Sequence, residues 1–198
     1  RKTAGGAITI LGVRVLNFGT LDVASGMLAY VEGSQFNSGT SFTGTGTNYF
    51  YHGTVTLDGA LTSQNLEIAP GVTIAGTHTL SGPVQWTGGT VSGAMTIATN
   101  GTLNISGTAD RMLSGTLNNL GLMVWSGAHL FYMNNGNITN FAGGVFEIQN
   151  NQTLAYYNGV PTVNNHGTIR KNAGGAITIL CVRVLNFGTL DVASGMLA

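Results

Sequence analysis

The opening of the chain returns at its end. Residues 1–29 (RKTAGGAITILGVRVLNFGTLDVASGMLA) and 170–198 (RKNAGGAITILCVRVLNFGTLDVASGMLA) differ only at Thr3/Asn172 and Gly12/Cys181. Position 170 restarts position 1, a long period of about 169 residues. A globular domain closes its core with two different, specialised ends. Here the last residues are the first residues again, so the sequence reads as one unit plus the opening of the next, in a tandem array or a polymer.

A shorter period runs inside the long one. The pattern Gly-x-apolar-x-apolar begins at Gly19, Gly53, Gly101, Gly121, Gly144 and Gly188. Gly76 and Gly167 fit less well, with His78 and Lys171 in apolar slots. From Gly53 onward these glycines recur at intervals of about 20–25 residues. Alternation of period two marks each segment as a strand with one buried face, and the glycine marks a turn before it. There is no 3.6-residue stripe and no capping box, so no helix is expected. Hairpins would bring strands every about 8–12 residues with two-residue turns; the longer interval instead suits coils stacked on one another. Seven to eight coils in each long period would rise about 34–38 Å.

Stacking predicts that like residues align from coil to coil. Two places before a strand glycine stand Asn17, Asn119, Asn165 and Asn186, as an asparagine ladder at a solenoid corner requires. A second column, between the apolar pair, reads Asp22, Thr56, Asn104, Val124, Glu147, Arg170 and Asp191. Glu147, Arg170 and Asp191 would alternate in sign on neighbouring strands, and Arg1 with Asp22 repeats the last step at the other end. The interval from Gly19 to Gly53 is half as long again as the others, too long for one coil. It predicts a loop inserted at 33–52; the cluster Tyr49, Phe50 and Tyr51 that closes it reads as a core patch under the loop or, alternatively, as a contact site for sugar or a neighbouring fibre. Because Cys181 replaces Gly12, that position reads as a small residue at a tight or buried site, with an intermolecular disulfide as the other use; a single cysteine forms no internal bridge.

Composition narrows the function classes. Only 7% of residues are charged and the formal net charge is zero, against a usual charged share of about 25%. A neutral surface of Thr, Ser and Asn does not steer nucleic acid and does little to oppose self-association. No run is long and apolar enough for a membrane-inserted helix. The seven acids are never closer than nine residues, so no catalytic carboxylate cluster is visible, and the four histidines show no metal-ligand spacing and are expected as isolated turn or surface side chains. No nucleophile elbow or phosphate loop occurs. Catalytic, cofactor and metal sites are therefore expected to be absent, and the chain is not expected to be an enzyme. Thr-x-Thr pairs at 43/45/47, 54/56 and 77/79 could order water, but along the sequence they do not recur at one coil position.

The phrases at 76–82, 101–107, 117–119, 164–168 and 188–192, rich in Gly, Thr and Asn, resemble the repeats of large secreted bacterial surface proteins, the class that includes filamentous-haemagglutinin-like and autotransporter-like solenoids. The resemblance implies an all-β, right-handed parallel β-helix, export to the cell surface, and a role as shaft, adhesin or envelope material. It supplies no catalytic residues. The expectation is a single β-solenoid segment that continues end to end with copies of itself as a fibre or shaft. Its ends would meet through Arg1, Ile8, Ile10, Val13, Val15, Asn17, Leu21 and Val23 on one side and Ile177, Ile179, Val182, Val184, Asn186, Leu190 and Val192 on the other. The alternative is a carbohydrate- or surface-binding adhesin, with glycans as partners, and a polysaccharide-active enzyme comes third.

Overall fold

Alternating side chains on strands that recur every twenty-odd residues can bury one face only by coiling around a common axis. The computed structural model, which describes residues 1–198, does this: 27 strands and no helix, every pairing parallel, wind into a β-solenoid of about nine turns. Each turn has three faces. The first face carries, among others, Thr20–Asp22, Ser41–Thr43, Gly59–Ser63, Thr116–Asn119, Asn137–Asn140, Thr162–Asn165 and Arg183–Asn186. The second carries Ile8–Leu11, Met27–Tyr30, Thr47–Phe50, Leu66–Ile68, Leu122–Trp125, Val145–Ile148, Thr168–Lys171 and Thr189–Val192. The third is a ten-stranded sheet from Leu16–Asn17 to Met196–Leu197. Thr77–Trp86 and Ala94–Ile105 bend around the corner between the first two faces and join them into one sheet.

The inward positions of all three faces meet in a core of 32 buried apolar residues. Near the start the core is aromatic: Tyr30, Phe36, Phe42 and Phe50 pack with ring centroids 5.1–6.0 Å apart. Further along, Trp86 and Trp125 flank Phe131 edge-on at 5.2 and 5.9 Å. Such geometry adds about 0.5–1.5 kcal/mol per pair to the burial itself.

The recurring glycine has a reason beyond the turn. Gly101, Gly121, Gly144, Gly167 and Gly188 stand near one corner, each opening a second-face segment. A Cβ on Gly121 would run into the Gly101 carbonyl oxygen, one on Gly167 into that of Gly144, and one on Gly188 into that of Gly167. Close approach of coil to coil, not backbone conformation, excludes a side chain there.

Several expectations need correction. Residues 33–52 are not an inserted loop. They form Gln35–Phe36, Ser41–Thr43 and Thr47–Phe50, one strand for each face, with Phe36, Phe42 and Phe50 fully buried. Short strands joined by corner glycines such as Gly39 and Gly44, at φ of 91° and 98°, look like low complexity in sequence. Gly53 and Gly76 open third-face and first-face strands, not second-face ones. Coil length accordingly varies, from the short step between Leu80 and Ile97 to the long one between Leu154 and Leu180. Cys181 is exposed, and a Cβ at Gly12 would meet nothing nearby, so the position is open and not tight.

Candidate functional site

The asparagine column at the corner from the first to the second face is continuous over four turns. Asn119 donates from Nδ2 to Asn140 Oδ1 at 2.8 Å, Asn140 to Asn165 at 2.7 Å, and Asn165 to Asn186 at 2.6 Å. The amides of Asn119, Asn140 and Asn165 also donate to the carbonyls of Val145, Thr168 and Thr189, tying the ladder to the strand that opens the next turn. Asn119, Asn140 and Asn165 are wholly buried, where satisfied amides specify register and unsatisfied ones are costly. Sequence reasoning found three of the four rungs. It missed Asn140 because the turn after it, Phe141-Ala142-Gly143, is two residues longer than its neighbours, which moves the strand glycine to Gly144. Asn17 does not join this ladder. It ends a third-face strand, where it donates to Gly19 O at 2.7 Å and to Thr40 Oγ1 at 3.1 Å.

The charge column is right in its upper half. Asn104, Val124, Glu147, Arg170 and Asp191 lie in register on the second face, whereas Thr56 is on the third and Asp22 on the first. Arg170 Nε donates to Asp191 at 2.8 Å, and Arg1 Nε forms an ion pair with Asp22 at 2.7 Å. Glu147 accepts from Gln149 at 3.1 Å instead of pairing with Arg170. These exposed pairs report register more than they add stability.

Both copies of the repeated segment make the same contacts between turns. Lys2 bridges Val23 as Lys171 pairs with Val192, and Ile8 pairs with Met27 as Ile177 does with Met196. Their surroundings differ by what lies above or below. Lys171, with strands on both sides, is wholly buried, and its Nζ donates to Asn150 O at 2.7 Å and Ala173 O at 3.0 Å; burial lowers its pKa. Lys2, with nothing beneath it, is half-buried and donates to Ala4 O and Gly5 O. Val23, with turns above it, is wholly buried, whereas Val192 is 47% exposed.

The proposed end surfaces are only partly axial. Leu190 and Val192 are inward positions left uncovered by the last turn, and Val15, Leu21, Val182 and Val184 pack against the core margin. Val13 is exposed. Ile8, Ile10, Ile177 and Ile179 point outward from the sides of the shaft: Thr178 between the last two is fully buried while they are 46% and 42% exposed. They are lateral patches, not slices of core. The loop site also dissolves. Phe50 is core, while Tyr49 and Tyr51 lie side by side on the outside with centroids 6.1 Å apart. Burial raises the Tyr49 pKa first, with Glu67 and Tyr51 adding to it.

Two features were not foreseen. The Thr-x-Thr pairs indeed lie on different faces, 54/56 on the third and 77/79 on the first, but the outward side of the first face carries a mixed column, Thr77/Thr79, Ala94/Thr96, Thr116/Asn118, Asn137/Thr139 and Thr162/Asn164, in register over five turns. The third face holds a groove of about 570 Å³ whose walls include Thr73, Thr90, Asp110, Met112, Tyr132 and Tyr157. Among the histidines, His78 is 2% exposed in an inward slot rather than on the surface, and neither ring nitrogen has a hydrogen-bond partner. Desolvation pushes its pKa down to about 4, with the nearby Leu57 backbone and Asp58 opposing only in part. His129 pairs with Asp110 at 3.0 Å, and His166 stacks on Phe187 at 5.0 Å.

These features define a parallel β-solenoid repeat protein. The chain matches no family model, no curated protein and no solved structure.

Proposed function

We propose that the chain is a stretch of an extended extracellular shaft, a fibre or giant surface protein built by end-to-end continuation of this unit. The observation that carries the reading is the complementarity of the two repeat copies. Lys171 shows how Lys2 sits once a turn lies beneath it, and Val23 shows how Val192 sits once turns lie above it. Each open end is thus a surface whose covered form already exists elsewhere in the same molecule. A neutral surface does not resist such continuation. Electron microscopy of the assembled material should show unbranched filaments one solenoid wide. Short particles without axial order would contradict the reading.

A second reading, a carbohydrate-binding adhesin, has its own observation in the third-face groove. Tyr132 and Tyr157 stand edge to face at 5.9 Å beside the Asp110 carboxylate and the Thr73 and Thr90 hydroxyls, a mixture of apolar ring faces and polar groups that suits a sugar. Glycan-array binding abolished by Tyr132→Ala and Tyr157→Ala, in material that forms no filaments, would favour it.

A further inference from the structure

The same repeated segment lies on different faces at the two ends of the molecule. Ile8–Leu11 is on the second face, and its counterpart Ile177–Leu180 is on the third. Leu16–Asn17 is on the third, and its counterpart Arg183–Asn186 is on the first. Thr20–Asp22 is on the first, and Thr189–Val192 on the second. Met27–Tyr30 is on the second, and Met196–Leu197 on the third. Every element is displaced by one face in the same direction. First-face pairings climb eight turns from Lys2 to Thr162–Asn165, and the chain then crosses one more face to reach Arg170 and Lys171. The long period therefore spans eight turns and a third.

We propose that successive units of the covalent array are rotated by one third of a turn, so that the arrangement of surfaces repeats only after three units. This rests on the shaft reading above and adds its symmetry. In a covalent array a continuing polypeptide has no need of whole turns: the local contacts between coils are the same in both copies, and only their place on the three-faced shaft has moved on. At about 4.8 Å per turn, one unit rises about 40 Å and three units about 120 Å.

The rotation decides what the array presents to its surroundings. The threonine and asparagine columns at 77–79 to 162–164 face one direction in this unit, a third of a turn away in the next, and a third further in the one after. The groove beside Tyr132 and Tyr157 follows the same course, as do the lateral isoleucine patches. A partner on one side of the shaft thus meets a given surface once in three units, and the array as a whole offers every surface on all sides. The buried asparagine ladder also changes corner. It occupies the corner between first and second faces in this unit, and Asn17, which makes the same bond to its turn glycine's carbonyl as Asn186 does, marks the corner between third and first faces where the ladder of a preceding unit would end.

The test is a chain of two periods, residues 1–198 continued by a second copy of 30–198, carrying Cys181→Ser and Thr96→Cys in both copies, biotinylated and decorated with streptavidin. Averaged electron micrographs should show the two labels about 40 Å apart along the shaft and a third of a turn apart around it. Labels on the same side would overturn the rotation whether or not the native material forms filaments, whereas loss of filaments alone would overturn the shaft reading and leave this result standing. Unrotated labels about 38 Å or about 43 Å apart, as eight or nine whole turns per unit would give, would overturn the count of turns. Cysteine at position 96 lies on the outward side of the first face, and an unlabelled two-period chain with the native residues checks that the shaft lengthens by the same amount.

Discussion

The two copies of the repeated segment are a natural experiment in what a sequence specifies. Residues 1–29 and 170–198 form the same strands, pair them in the same register and make the same Arg–Asp contact, at 2.7 and 2.8 Å. Yet they differ in burial at Lys2 and Lys171, Thr9 and Thr178, Leu21 and Leu190, and Val23 and Val192, and lie one face apart on the shaft. Local sequence fixes strand, turn and step to the next coil. Which side of the shaft a strand occupies is fixed by the number of faces traversed in between, and burial is fixed by whether a turn covers it.

Conditions or substitutions that act on the intervening coils test whether they hold that count. His78 sits in one of those coils. Its unfolded form takes up a proton near pH 6.5, and its folded form resists until about pH 4. Stability is therefore fully present above pH 6.5 and falls as the pH drops towards 4, by about 3 kcal/mol. Urea denaturation at pH 7 and pH 4.5 should show this loss, and His78→Leu should flatten it.

Next come paired substitutions in the ladder. Asn165→Ala removes a buried rung, taking one acceptor from Asn140 and the donor from Asn186, at a cost of about 3 kcal/mol, while Asn17→Ala, with an exposed bond and one partner hydroxyl, costs about 1 kcal/mol. Equal losses would show that the ladder is not a cooperative element.

Two further pairs separate covered from uncovered positions. Val23→Ala should destabilise by about 2 kcal/mol and Val192→Ala by less than about 0.5 kcal/mol. Gly188→Ala should force the strand away from Gly167 at about 1–3 kcal/mol, whereas Gly19→Ala meets open space and should be neutral. Hydrogen exchange of the terminal turns would resolve these differences. In a continuous shaft both members of each pair should become equally damaging. The smallest effect is the one expected to be equal already: Asp22→Asn and Asp191→Asn should each cost less than about 0.5 kcal/mol, and 1 M salt should remove even that.

Much of this was legible in the sequence. The parallel solenoid followed from Gly-x-apolar-x-apolar spacing, and from Gly101 onward that spacing tracked one face, so the alignment of Asn104 through Asp191 was right. The count of turns was not legible, because the intervals from Gly53 to Gly76 and from Gly76 to Gly101 each conceal a short coil plus one extra face. Short coils there, as from Leu80 to Ile97, kept the interval within the expected range, so a change of face left no mark in the spacing. The misread loop at 33–52 has the same origin: its strands are two to four residues long, too short for alternation to show. His78 and Lys171 looked like misfits in apolar slots and do point inward, Lys171 with its ammonium capped by carbonyl oxygens where the corner lets it reach them. The lateral direction of Ile8, Ile10, Ile177 and Ile179 was hidden because Ala-Ile-Thr-Ile-Leu alternates plausibly in either phase, and it is the pairing of Leu11 with buried Tyr30 and of Leu180 with buried Leu154 that decides between them.

The central claim is that the repeat continues as a shaft with eight and a third turns per unit, and the most direct measurement is the power spectrum of a native filament. The account predicts a meridional reflection at about 4.8 Å from the turns, another at about 40 Å from the units, and a layer line at about 120 Å from their three-unit rotation. A unit spacing with no line at three times its length, or an unrotated spacing of about 43 Å, would contradict it.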